Sequence, residues 1–294
     1  QGATLVLGDE TVEKPKLGRY EVQQELGQGT FGTVYLGEDP RIHRTVAIKT
    51  LSLAQEFEPD QLAEVTDRFF REAQSAGRLN HPNIVAIYDV GEEHDLAYIA
   101  MEFLKGDTLA RYGHPDALLP LERALELLAQ CADALDYAHG QGVVHRDVKP
   151  QNIMYDPDAG LVKITDFGIA RISDASRTRT GTVLGTPNYM SPEQALGEKV
   201  DGRSDLFSLG VVLFQLTTGR LPFEGDSMAS LMYRIVNEAH PDPRTLREDL
   251  PTAVVKIINN ALGKRPERRY QTGAKMAEHL RRVVQRLESL RGGA

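Results

Sequence analysis

From residue 20 to about 103, apolar positions come in short alternating stretches. Tyr20, Val22 and Leu26, then Val34-Tyr35-Leu36, then Val46-Ala47-Ile48 are separated by Gly- or Pro-bearing turns. A period of two bounded by turn residues predicts antiparallel strands. A helix is expected around 69–79, then a turn at Asn80-His81-Pro82-Asn83, then strands over 84–90 and 96–103 joined by Glu92-Glu93-His94-Asp95. After Lys105-Gly106-Asp107 the period lengthens. Leu121, Leu125, Leu128, Ala132, Leu135 and Ala138 sit at helical spacing, with Gly140 and Gly142 as the stop. The stretch 206–216 is apolar nearly all round, with Ser204 and Asp205 as cap candidates and Gly219 behind it, which predicts a helix buried inside a lobe. A last helix over about 273–290 carries Met276, Leu280, Val283, Val284 and Leu287 on one face and arginines, expected to be solvated, on the other. The reading is an α+β chain: a polar tail over 1–18, a first lobe over 19–103 of five antiparallel strands with one main helix, and a mostly helical second lobe over 104–291.

Composition narrows the classes. The 294 residues are 41% hydrophobic and 26% charged, with 34 Lys and Arg against 42 Asp and Glu, a net charge of −8. That supports a substantial core and gives no general attraction to nucleic acid or an anionic membrane. The longest apolar run, 209–216, falls far short of the roughly 20 residues that span a bilayer. The single cysteine, Cys131, has no intrachain disulfide partner; a reducing, cytoplasmic compartment is expected, with the thiol packed in its helix. The opening Gln1-Gly2-Ala3 has neither an initiating Met nor a signal-peptide pattern, and leads to the expectation of a piece of a longer chain.

Four short motifs carry chemistry. Gly27-Gln28-Gly29-Thr30-Phe31-Gly32-Thr33-Val34 matches G-x-G-x-x-G-x-V. A dinucleotide fold would follow it with a helix and a Walker loop would need Lys-Ser or Lys-Thr after the last glycine; here a returning strand follows. What remains is a β-hairpin flap whose backbone N–H groups can approach phosphate oxygens. Lys49 ends the strand Val46-Ala47-Ile48, and Glu72 on the first lobe's helix could hold its ammonium over an anionic ligand. In His145-Arg146-Asp147-Val148-Lys149-Pro150-Gln151-Asn152, Asp147 can take a proton from an attacking hydroxyl, Lys149 can neutralise the transferring group, and Asn152 can offer an amide oxygen to a metal. In Lys163-Ile164-Thr165-Asp166-Phe167-Gly168, Asp166 offers a hard oxygen to Mg²⁺. Singly, each residue could be a cap or a turn former. Four such pieces in one order leave that reading improbable.

Taken together, these motifs resemble those of the protein kinases, and more narrowly the bacterial Hanks-type serine/threonine kinases, over residues 19–290. The resemblance implies a bilobal fold closing on ATP and Mg²⁺, with Mn²⁺ as an alternative ion. It assigns Lys49 to the α and β phosphates, Glu72 to its ion pair, Asp147 to the catalytic base, and Asn152 and Asp166 to the metals. It makes Met101 the gatekeeper, sets backbone groups of Glu102 and Leu104 against adenine with Val34 and Ala47 above the ring, and adds Asp107 to the nucleotide site. Lys149 and Gly185-Thr186-Pro187 resemble the class that phosphorylates Ser and Thr of proteins, itself included. Ser191-Pro192-Glu193 stands where the family usually has Ala-Pro-Glu, with Arg269 as the expected structural partner of Glu193. Asp205 is expected to accept backbone N–H bonds from the catalytic loop, and Phe207 replaces the more common Trp.

Arg146 beside Asp147 resembles kinases switched on by phosphorylation, with Thr178 and Thr180 favoured over Thr182. His81 is expected to bond to backbone rather than to bind metal. The family's habits imply the cytoplasmic part of a membrane-anchored receptor and self-association through the first lobe, with no nucleic acid and no membrane contact by this segment. The rival functions are a pseudokinase scaffold that binds nucleotide without turnover, and a small-molecule phosphotransferase. The first is weakened because lysine, base and metal carboxylate are all present. The second is weakened by the long segment leading to Glu193.

Overall fold

The computed structural model describes residues 15–28, 32–93, 95–167 and 187–293. The alternating stretches form one antiparallel sheet of six strands in the order β1-β2-β3-β4-β6-β5: β1 Lys16–Leu17, β2 Tyr20–Gln28, β3 Thr33–Asp39, β4 Arg44–Leu51, β5 Ile87–Glu93 and β6 Leu96–Glu102. Five were expected. The sixth, β1, lies in what reads as tail; Leu17 faces Tyr20, and Val22 N–H donates to the Pro15 carbonyl. A two-residue strand is too short for a periodic signal; backbone pairing and the packing of Leu17 against the Tyr20 cluster place it.

One face of this sheet packs on α2 (Leu62–Gly77) through Val65, Phe69 and Ala73. That helix begins earlier than expected. A second cluster of Tyr20, Val46, Ile48 and Tyr98 fills the opposite face. A short helix, α1 (Leu53–Glu56), leads from β4 toward α2.

The second lobe is built round α5 (Gly202–Thr218), buried on every side as its uniform apolarity requires, and terminated by Gly219 at φ 76°. Its start differs from the expectation. Asp201, not Ser204 or Asp205, caps it by accepting from Arg203 N–H, because the helix enters through a polar first turn that an apolar run does not mark. Around it stand α3 (Leu121–Gly140), α4 (Pro192–Ala195), α6 (Met228–Asn237), α7 (Thr252–Ala261) and α8 (Gly273–Gly292). The arginine face of α8 is solvated as expected, with Arg282, Arg286 and Arg291 exposed, and it also pairs with α3: Arg281 reaches Asp133 at 2.6 Å and Arg291 reaches Glu122 at 2.8 Å. Cys131 is buried in this core. No helix among the described residues is long and apolar enough to cross a membrane.

A small sheet of β7 (Asp107–Thr108), β8 (Ile153–Asp156) and β9 (Leu161–Ile164) lies under the cleft. The turn before β5 fastens the lobes together. Val85 N–H donates to the Ile164 carbonyl at 2.9 Å and Ile164 N–H to the Asn83 carbonyl at 2.8 Å. His81 serves that turn, its Nδ1 accepting from Asn83 N–H at 3.0 Å.

Candidate active site

Strand register assembles the roof of the cleft. Val34 pairs with Lys49, Lys49 with Ile99, and Ala47 with Met101. Directly paired residues share a sheet face, as do residues two apart, so Val34, Ala47, Lys49, Ile99 and Met101 all lie on one face. Gly27 pairs with Val34 and Gln28 with Thr33, closing the hairpin flap above them. Gly29, Thr30 and Phe31 lie outside the described residues. A side chain at Gly32 would place Cβ 1.9 Å from the Thr50 carbonyl oxygen, so the flap's return strand needs a glycine there.

The floor comes from the loop after α3 and the end of β9. Asp147 is fixed by its neighbours in sequence: Asn152 Nδ2 donates to its carbonyl at 2.8 Å and to its carboxylate at 3.2 Å, and Lys149 Nζ stands 3.3 Å from the same carboxylate. With Nδ2 so engaged, the Asn152 amide is turned with its oxygen as the remaining ligating atom. His145, buried, holds the loop to β9. Its Nδ1 accepts from Asp147 N–H at 3.0 Å, so its Nε2 carries the proton and donates to the Thr165 carbonyl at 2.7 Å. Asp205 accepts from His145 N–H at 2.8 Å, Arg146 N–H at 2.9 Å and His139 Nε2 at 2.7 Å. Burial pushes its carboxyl up and His139 with the loop pulls it down, leaving it below the ordinary carboxylate value.

Roof and floor meet through charge. Lys49 Nζ lies 2.8 Å from Asp166 Oδ2, with both groups largely withdrawn from water. Burial raises the Asp166 carboxyl, the Lys49 ammonium outweighs that, and the net direction is down. The expected partner, Glu72, is not the one Lys49 engages: among the described residues its ion pair is with Asp166. A buried ammonium needs a carboxylate in contact, and the one on the strand end below supplies it. Glu72 is half-buried on α2 and has interactions of its own.

Two oxygen donors, the Asp166 carboxylate and the Asn152 amide, suit a hard cation. No cluster of three or more His, Cys, Asp or Glu among the described residues could hold a metal. Asp107 is exposed on β7 and caps Thr108 N–H at 2.8 Å; Leu104 is half-buried against the first lobe's core.

Sequence patterns do not mark several residues that tie this site together. Glu102, whose backbone was expected to face adenine, spends its carboxylate on Ala86 N–H at 3.2 Å and Lys163 Nζ at 2.6 Å. A lysine in a strand reads as solvated edge, and only the fold puts it beside Glu102 at the end of β6. Asn83 and Gln130 form a buried knot in which Asn83 Nδ2 donates to Gln130 Oε1 and to the Val162 carbonyl, both at 3.0 Å. Farther out, Arg269 grips Glu193 with two bonds of 2.6 and 2.7 Å, as expected, and Ser204 adds a third to Glu193 at 2.8 Å.

The model of the protein kinase domain matches residues 20–281. The chain belongs to that family. Members use ATP with a divalent metal ion. This kinase domain is 45% identical over 271 residues to the serine/threonine-protein kinase PknB of Mycobacterium leprae (strain TN), covering 90% of this chain and 43% of that protein. It is 45% identical over 272 residues to PknB of Mycobacterium tuberculosis (strain ATCC 25618 / H37Rv), again 90% and 43%. Against the serine/threonine-protein kinase PrkC of Bacillus subtilis (strain 168) the identity is 43% over 260 residues, 88% of this chain and 39% of the other. The chain thus spans about two fifths of the length of these curated relatives. The bilobal α+β fold is that of the family.

Proposed function

We propose that this kinase domain transfers the γ-phosphoryl group of ATP to serine and threonine hydroxyls of proteins, its own included. The observation that carries the reading is the Asp147 carboxylate, held between Lys149 Nζ and Asn152 Nδ2 at 3.3 and 3.2 Å on a loop braced by Asp205. Asp147 orients the acceptor hydroxyl and takes its proton as the new O–P bond forms and the bond to the β-phosphate oxygen breaks. Lys149 offsets negative charge on the group in transit. Lys49 binds the α and β phosphates under the hairpin flap of Gly27, Gln28 and Gly32; the family resemblance gives Gly29, Thr30 and Phe31, outside the described residues, the same phosphate-binding role. Asn152 and Asp166 would hold Mg²⁺, which screens the phosphate oxygens when bound. Val34, Ala47, Met101, Glu102 and Leu104 frame the adenine. The likeness to serine/threonine-protein kinases and the presence of Lys149 favour Ser/Thr as acceptor.

The test is transfer of labelled phosphate from Mg-ATP to the chain itself and to a generic basic protein, beside Asp147→Asn. Loss of the base should lower the rate by about 10²- to 10⁴-fold. Nucleotide binding with equal, negligible transfer by both proteins would leave a scaffold. Thr178, Thr180 and Thr182 lie outside the described residues; we propose Thr178 and Thr180 as self-modification sites, to be checked by peptide mapping after incubation with Mg-ATP. The family resemblance also supports a cytoplasmic location and pairing of two copies through the first lobe; sedimentation equilibrium would detect the pairing as a doubled mass.

A further inference from the structure

Arg146, the residue before Asp147, has φ 73°, a left-handed conformation that is costly for a side chain of this size. Such a backbone persists only where its surroundings over-determine it. On one side of Arg146 they plainly do: Asp205, on α5, takes its N–H. On the other side its carbonyl oxygen accepts a 2.9 Å bond from Gln194 Nε2, on α4. The same amide has a second duty. Gln194 Oε1 accepts from Ser191 N–H at 3.0 Å, while Ser191 Oγ accepts from Gln194 N–H at 3.3 Å, a reciprocal box that starts α4.

Both backbone partners dictate chemistry. The Ser191 N–H can only donate and the Arg146 carbonyl can only accept, so position 194 needs an acceptor atom and a donor atom on one side chain of this reach. A carboxylate has two acceptors and no donor; a lysine or arginine has only donors; asparagine is one methylene shorter. α4 is itself anchored in the core by the Glu193–Arg269 pair and by Ser191 Oγ donating to Ser204 Oγ at 3.0 Å. The amide therefore runs from a fixed helix start to the strained peptide that aims the candidate base.

We propose that Gln194 is a positioning residue: it holds the Arg146 peptide so that Asp147 stays aligned for transfer, and it ties the alignment of the base to the anchoring of α4. This rests on the kinase reading above. Sequence alone could not show it, because Gln194 reads as an ordinary helix residue.

The decisive variant is Gln194→Glu, which keeps the acceptor for Ser191 and so keeps the box, but presents an oxygen instead of an N–H to the Arg146 carbonyl. Three measurements on the full chain separate the outcomes: transfer kinetics with Mg-ATP, nucleotide affinity by calorimetry, and amide hydrogen exchange over the peptide containing 145–147. The expected result is a kcat lowered by about 10- to 100-fold, KM for ATP and nucleotide affinity within about twofold of wild type, a retained melting temperature, and faster exchange at 145–147. Ser191→Ala, which weakens the box without touching the bond to Arg146, should lower the melting temperature and leave kcat within about twofold. An active wild type with an equally active Gln194→Glu overturns the inference, as does a loss of kcat that merely follows a fall in melting temperature. A wild type that binds nucleotide and transfers nothing overturns the kinase reading instead, and this inference with it; unchanged exchange at 145–147 would overturn the inference alone.

Discussion

Removing Arg269 should unfold the second lobe more readily than its position, far from the reacting groups, suggests. Its guanidinium is wholly buried, bonded twice to Glu193 and also to the carbonyls of Gly263, Lys264 and Arg203. In Arg269→Met the Glu193 carboxylate stays buried with Ser204 as its remaining strong donor. Breaking one side of a buried pair costs about 3–5 kcal/mol. At about 2–4 °C per kcal/mol for a large domain, that is a fall of about 6–20 °C in melting temperature. Glu193→Gln/Arg269→Met removes both charges, so it should be more stable than Arg269→Met alone by about 1 kcal/mol or more. Arg203→Met, which breaks the part-exposed pair with Asp201, should cost under about 1 kcal/mol. The pair also sets an acid limit. Burial raises the Glu193 carboxyl, Arg269 more than compensates, and the net pKa lies below its ordinary 4.5. A depressed carboxylate stabilises the fold above its unfolded value, and that stability is lost as pH falls from about 4.5 through the folded value. Urea unfolding of the four proteins at neutral and acid pH is the assay. If the double variant is no more stable than Arg269→Met, the stranded charge is not the cause and the reasoning fails.

Three further outcomes follow from other parts of the molecule. Lys264 donates to the Ile235 carbonyl at 2.6 Å and sits over the Phe223 ring, and burial followed by Arg269 lowers its ammonium to about 8. Wild type should therefore gain stability relative to Lys264→Met as pH rises from about 8 toward 10.5, where the unfolded chain still holds the proton; a flat difference would contradict this. Gly32→Ala, whose Cβ would meet the Thr50 carbonyl, should weaken nucleotide binding and lower the melting temperature, while Gly27→Ala meets nothing within 4 Å and should leave the melting temperature unchanged, as thermal shift with and without nucleotide would report. Burial pushes the Cys131 thiol up, so iodoacetamide at pH 8 should label it only in denaturant, and rapid labelling of the native chain would refute its place in the core.

Most of the architecture is legible along the chain. Alternation at 20–48 requires strands because side chains on a sheet alternate between faces, and the all-round apolarity of 206–216 requires a helix with no solvent face, as α5 proves to be. Asp147, Asn152 and Asp166 stand out because the loops that carry them keep function and backbone demand within a few consecutive residues. The ends of elements are less legible. Asp201 caps α5 from a polar turn, and β1 is too short to show a period.

What only the tertiary structure decides is which distant groups share a bond. A lysine at the end of β4 can be satisfied by a carboxylate from α2 or from the end of β9, and nothing in the linear order ranks them; packing puts Asp166 at 2.8 Å. The same holds for Lys163 with Glu102 and for Gln194 with the Arg146 carbonyl. Periodicity and local motifs express burial and backbone geometry, which neighbouring residues determine among themselves. Partner choice across 48, 61 or 117 residues depends on where whole elements come to rest, and so belongs to the folded molecule.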